Sequence, residues 1–173
     1  MPEQKARADG VERPKHSFPP VVDSRTRVLV LGSLPGEESL ALRQYYGHPR
    51  NHFWRLIGEV AGRDLVALGY EARLAALLEA RVGLWDTVAS AIRRGSLDGD
   101  IKAHTANPLA AFVETLPELR AIGFNGDKSA AIGLKQLGGR EGLALLPLPS
   151  SSPAYTLPFE AKLQAWRRLA DFL

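Results

Sequence analysis

The residue types capable of chemistry are concentrated between Ser33 and His52. Ser33, Tyr45, Tyr46, His48, Arg50, Asn51 and His52 fall in one stretch, bounded by an apolar run at 28–31 and another apolar series ending at Val60. Hydroxyls, imidazoles, a guanidinium and a carboxamide can grip a polar ligand, and the aromatic faces can stack on one. A chain that only had to fold would not usually crowd these types between a strand and a helix, so the stretch reads as an active site. The turn Gly32-Ser33-Leu34-Pro35-Gly36 supplies bare backbone N–H groups that a ligand can approach closely. It lacks the GxGxxG spacing of a dinucleotide fingerprint, the Gly-Lys-Ser/Thr of a phosphate-binding P-loop and the GxSxG of a nucleophile elbow.

The elements that position these residues follow from periodicity. Residues 27–31 form a short Val/Leu run with the character of a buried central strand. Residues 82–86 (VGLWD), 120–124 (RAIGF) and 143–146 read as further strands. Helical turns are expected after Gly36. Amphipathic helices are expected from Asn51 to Val60 and over 70–80, 108–116, 127–137 and 157–173. Asn51 and Asn107-Pro108 are placed as helix starts, and Gly138-Gly139 as a helix end. Residues 18–22 (FPPVV) form an extended lead-in, and 95–100 a polar loop. Strands alternating with helices predict an α/β domain: three layers, α/β/α, around a small, mainly parallel four-stranded sheet. One domain is expected over 17–173, preceded by a polar, disordered tail at 1–16.

In an open parallel sheet, ligands bind beyond the carboxyl ends of the strands. Here those ends read GSLPG, WDT, FNG and LPLPSSSPAY, and none is a neutral linker. A pocket at that edge is the expected site.

The chain has 173 residues, no cysteine and a net charge of +3. The absence of cysteine excludes disulfides, thiolate metal sites, cysteine nucleophiles and Cys-ligated iron–sulfur clusters. No apolar run approaches a membrane span and no signal-peptide core is visible, so a cytoplasmic protein without membrane contact is expected. The mild positive excess permits nucleic-acid binding.

Taken together, GSLPG, YYGHPRNHFW, FNG and LPSSSP resemble, in order and position, the motif plan of the uracil-DNA glycosylase superfamily, from about Val28 onward. The set is most similar to the hypoxanthine-DNA (deoxyinosine) glycosylases, family 6. HPRNHFW also resembles the mismatch-specific uracil/thymine glycosylases, whose first motif reads GINPG. Leu34 stands where that branch carries its catalytic Asn, and an aliphatic chain cannot orient water. In the hypoxanthine branch that position is apolar too, and the catalytic role falls to the Asn of HPxN, here Asn51.

The resemblance implies roles, beside each of which a plainer use stands. Asn51 would position the attacking water; by itself it reads as a helix cap. Tyr46 would stack on the flipped base, although a core tyrosine has the same signature. His48 would bind the base or a phosphate, or simply its own loop. Gly32 and Ser33 would bind a base carbonyl, or only shape a turn. Asn125 would read the base edge, but Asn-Gly is also a common turn. Ser150, Ser151, Ser152 and Pro153 would hold DNA phosphates and fill the vacated stack, or merely lead into a helix. Arg50 and His52 are expected to face solvent or phosphate, Asp86 to cap or sit hydrogen-bonded, and Trp85 and Trp166 to be core.

The resulting expectation is a monomeric, monofunctional DNA N-glycosylase. It would excise hypoxanthine from deoxyinosine in duplex DNA with water as nucleophile and no metal or cofactor. The alternatives are a uracil/thymine mismatch glycosylase and a non-catalytic reader of damaged or single-stranded DNA on the same fold.

Overall fold

The computed structural model describes residues 13–173. Two strand systems organise it. In chain order the first elements are β1 (Lys15–His16), β2 (Val28–Gly32), α1 (Glu37–Leu42), α2 (Phe53–Ala61), α3 (Tyr70–Glu79) and β3 (Val82–Asp86). They are followed by β4 (Val88–Ile92), β5 (Lys102–Ala106), α4 (Leu109–Val113), β6 (Ala121–Asn125), α5 (Asp127–Leu137), β7 (Ala144–Leu148) and α6 (Phe159–Trp166). A 3-10 segment, Arg167–Phe172, follows α6.

The four expected strands form a wholly parallel sheet in the order β3-β2-β6-β7. β2 is central and buried along its whole length. Its side chains divide by period two between the faces. Val28 and Val30 join Phe53, Ile57, Leu163 and Trp166, from α2 and α6, in one core. Leu29 and Leu31 join Leu109, Val113, Ala130 and Leu137, from α4 and α5, in the other. Each face therefore has its own helical layer, as the alternation of elements requires.

Register decides the site. Gly32 stands opposite Asp86, and Leu31 opposite both Trp85 and Phe124. Asn125 stands opposite Leu148, two residues before Ser150. All four carboxyl ends thus finish along one edge.

A second, antiparallel sheet, β1-β4-β5, departs from the sequence expectation. Only Thr87 separates β3 from β4, and its N–H bonds Gly32 O at 2.8 Å. β5 reads KAHTA, four of its five residues exposed, so no apolar period marks it. Lys15 and His16, assigned to the tail at 1–16, pair with Ala91 and Ser90 instead. The remainder of that tail, residues 1–12, lies outside the described residues.

Smaller corrections have local causes. The helix expected over 108–116 is the short α4, and Asn107 does not cap it. Its side-chain amide donates to Asp86 O at 2.8 Å. The last helix gives way to the 3-10 segment after Trp166. The lead-in docks as expected, with Val21 and Leu84 exchanging backbone bonds of 2.9 Å in both directions.

Candidate active site

At that edge the strand ends enclose a cavity of about 520 Å³. The residues given base-binding, catalytic or phosphate roles from sequence line it: Gly32, Ser33, Tyr46, His48, Asn51, Asn125, Ser150, Ser151, Ser152 and Pro153; Arg50 and His52 do not. Leu34, Asp86, Leu97 and Asp98 line it as well.

Asn51 sits immediately before α2. His52 carries the N-cap position and its carbonyl takes the first helical bond, from Leu56 N–H at 2.8 Å. Asn51, expected to be the cap, is therefore one residue upstream of it, yet its Oδ1 still accepts Phe53 N–H at 2.9 Å. That bond demands an oxygen, so it fixes which end of the amide is which. Nδ2 is left without a protein partner among the described residues, and Asn51 is half-buried at the cavity wall.

Tyr46 adopts a left-handed backbone, φ 53°. A non-glycine residue there costs on the order of 1–3 kcal/mol and needs its surroundings to hold it. One such constraint is Gly47 N–H, which donates to Ser39 Oγ at 2.9 Å. The turn lays the Tyr46 ring on Phe53, centroids 3.8 Å apart and planes 20° apart. Phe53 covers one ring face, and Tyr46 also borders the cavity. Tyr45 is the core tyrosine of the pair: it is buried, and its hydroxyl donates to Pro19 O at 2.8 Å.

Asn125 is held at both ends by Ser151. Its Nδ2 donates to Ser151 Oγ at 2.8 Å, and its Oδ1 accepts Ser151 N–H at 2.9 Å. The Tyr46 hydroxyl lies beside the same amide as a hydrogen-bonding neighbour, and Oδ1 keeps one acceptor position. Ser151 also bonds through its carbonyl to His52 N–H at 3.0 Å. Since Ser151 is fully buried, its side chain serves Asn125 and not a DNA phosphate. Ser150 and Ser152 keep partial exposure, as does Pro153, while Tyr155 is 47% exposed beside them. Beneath this loop the buried Lys162 donates to Ser152 O at 3.1 Å, and Trp166 Nε1 donates to Pro149 O at 2.9 Å.

His48 binds its own loop, accepting Arg50 N–H at Nδ1 (3.0 Å), while Nε2 lies 3.4 Å from Glu38 Oε1. Arg50 is exposed. His52 instead packs edge-on against Phe159, and burial lowers its pKa.

Three further groups shape the cavity; Asp98 and Arg93 were not singled out from sequence, and Asp86 was expected only in a structural role. Ser33 Oγ donates to Asp98 Oδ1, which brings the 95–100 loop across the site. Arg93, buried, donates to the carbonyls of Leu34, Pro35 and Gly95, tying that loop to the GSLPG turn. Asp86, expected to cap or to sit hydrogen-bonded, is 3% exposed, and its Oδ2 has no hydrogen-bond partner among the described residues. Burial first, then the nearby Asp98 charge, pushes its carboxyl up to about 7, with Arg93 opposing.

Comparison with known proteins gives this geometry a family. A model of the uracil DNA glycosylase superfamily matches residues 19–170. The chain belongs to the uracil DNA glycosylase superfamily. Within the superfamily it is 42% identical over 140 residues to a protein of Methanosarcina acetivorans named hypoxanthine DNA glycosylase, covering 81% of this chain and 87% of that one. A protein of the same name from Methanosarcina barkeri is 45% identical over 115 residues, 66% of this chain and 73% of the relative. The solution NMR structure of a Methanosarcina acetivorans protein, described as a candidate uracil DNA glycosylase, superposes with a TM-score of 0.80 at 39% identity. That match covers 91% of this chain and 99% of the other. As a superfamily member the chain keeps the expected α/β/α plan, with the antiparallel flap as its addition to the sequence reading.

Proposed function

We propose that the protein is a monofunctional DNA glycosylase that removes hypoxanthine from deoxyinosine in duplex DNA and leaves an abasic site. The observation that carries this reading is the convergence of GSLPG, Tyr46, Asn51, Asn125 and the serine loop on one cavity. The names of the relatives support the choice of base. A flipped nucleotide would enter with its base against Tyr46, where stacking is worth ~1–3 kcal/mol. The acceptor position left on Asn125 Oδ1 suits the ring N–H of a lactam. Asn51, at the cavity wall, would orient the water that attacks C1′. Ser150 and Ser152 would grip the backbone, and Pro153 would lean into the vacated stack. The protein would act as a monomer in the cytoplasm. No described helix is long and apolar enough to cross a membrane.

The direct test is incubation with duplexes carrying single deoxyinosine, deoxyuridine or deoxyxanthosine, followed by alkaline cleavage of abasic sites. Scission at deoxyinosine is the expected result. Scission at deoxyuridine alone would favour the uracil alternative, and binding without scission would reduce the protein to a damage reader.

Leu34 bears on that choice. It is 7% exposed and packs with Val88, Ala91 and Ile101. Leu34→Asn is expected to destabilise the fold by about 2–4 kcal/mol, through lost burial and an amide placed in an apolar cluster. It should not create uracil excision. A Leu34→Asn protein that cleaved deoxyuridine faster than the parent would show this site to be a disabled uracil centre.

A further inference from the structure

The cavity floor holds polar groups to which the reading above gives no task. Asp86 and Tyr46 converge over the bare Cα of Gly32: a Cβ built there would lie 2.6 Å from Asp86 Oδ1 and 2.9 Å from the Tyr46 hydroxyl. Both side chains line the cavity; Asp86 Oδ2 lacks a hydrogen-bond partner among the described residues, while the Tyr46 hydroxyl has the Asn125 side chain beside it as a hydrogen-bonding neighbour. Buried polar atoms are nearly always paired, so an unpaired carboxyl oxygen on a side chain that lines a cavity points to a ligand that pairs it. Tyr46 is also the stacking candidate, which places Asp86 at the base end of a bound nucleotide.

Two carboxyls share this cavity in unlike surroundings. Burial raises the pKa of Asp98 too, opposed by the Ser33 hydroxyl it accepts and by Arg93 and Lys128. Asp86 has no such bond, feels Asp98 as a like charge and sits deeper. The groups facing it are Asp98 from the 95–100 loop, Arg93 beyond β4, and Tyr45 and Tyr46 from the loop before α2. Of two neighbouring acids, the deeper one without a hydrogen bond is the better placed to hold a proton.

We propose that Asp86 is a catalytic residue that enters the reaction protonated and donates its proton to the carbonyl oxygen of the flipped base. This rests on the proposed function. As the C1′–N9 bond breaks, its electron pair passes into the purine and spreads from N9 through C4 and C5 onto O6. The Asp86 O–H meets that charge and the proton moves to O6. Water adds to C1′ and releases a proton to solvent, while solvent returns one to Asp86, so the overall reaction is a hydrolysis. A general acid of this kind is worth on the order of 10²–10⁴ in rate.

The test is single-turnover excision of deoxyinosine from pH 5.5 to 8.5. The wild-type rate should be level at the acid end and fall above pH 7, approaching tenfold per unit. Asp86→Asn, which keeps the shape but has no acidic proton, should be at least about 100-fold slower at pH 6 and lose that fall. Its affinity for a duplex carrying a non-hydrolysable 2′-fluoro deoxyinosine should stay within threefold. Its thermal midpoint should match or exceed the parent's at pH 8, because the raised acid destabilises the fold as pH climbs through its titration. An Asp86→Asn rate within threefold of the parent, or a variant that retained the alkaline fall, would overturn the proposal. So would a carbon-13 carboxyl titration placing Asp86 below pH 5 in the free wild-type protein, which needs neither variant nor substrate. Absence of wild-type scission at deoxyinosine is a different failure, that of the proposed function.

Discussion

Asn51→Ala is expected to slow deoxyinosine excision by on the order of 1,000-fold, the scale seen when one oriented polar group is removed from a transition state. The same change should cost about 1 kcal/mol of stability, because the amide oxygen holds Phe53 N–H at 2.9 Å as a capping side chain would. Asn51→Asp separates the two effects. An aspartate keeps an oxygen for Phe53 but replaces the Nδ2 donor, so stability should return while excision does not. Thermal midpoints and single-turnover rates on the two variants check this together. If Asn51→Asp restored both, the residue would be a helix-start device and the water-positioning role would fall.

Gly32→Ala is the second large effect. The new methyl would lie 2.6 Å from Asp86 Oδ1 and 2.9 Å from the Tyr46 hydroxyl, closer than real contacts allow. The strand cannot yield, since β2 is buried throughout and paired on both sides. The two side chains must move instead, and they move into the cavity. Overpacking of this kind costs about 1–3 kcal/mol. The shift of Asp86 and Tyr46 should lower excision on the order of 100-fold or more, as displacements near 1 Å do at reacting centres. Affinity for a 2′-fluoro deoxyinosine duplex should fall too, which distinguishes this variant from Asp86→Asn. A Gly32→Ala protein with parental affinity and rate would mean that the base does not reach the strand end.

The parallel sheet was legible because its strands are short apolar runs buried on both faces, and burial on both faces writes itself into composition. The flap was not. β5 is mostly exposed and β1 is two residues long, so neither carries a period; their pairing with β4 exists only once the chain is folded. The site followed the same division. Residues within one motif, such as Tyr46, His48 and Asn51, could be read together. Asp98 bonds Ser33 across 65 positions and Arg93 reaches Leu34 across 59, and no local pattern announces such distances. Asp86 shows a subtler limit. It was expected to cap or to sit hydrogen-bonded; that one of its oxygens is left without a partner depends on three other elements and is a property of the fold.

The double tie between Ser151 and Asn125 has a consequence for what the enzyme leaves alone. A free asparagine can turn over by 180° and exchange its donor and acceptor ends. It would then greet the amidine edge of adenine as readily as the lactam edge of hypoxanthine. Here the turned-over amide would set NH2 against the Ser151 backbone N–H, two donors facing each other. The side chain therefore has one polarity. In the proposed reading, an ordinary adenine that strays into the cavity finds an Asn125 unable to change its answer. On that reading, discrimination against adenine, which vastly outnumbers its deaminated form, would rest on a main-chain amide, the Ser151 N–H that fixes the Asn125 side chain.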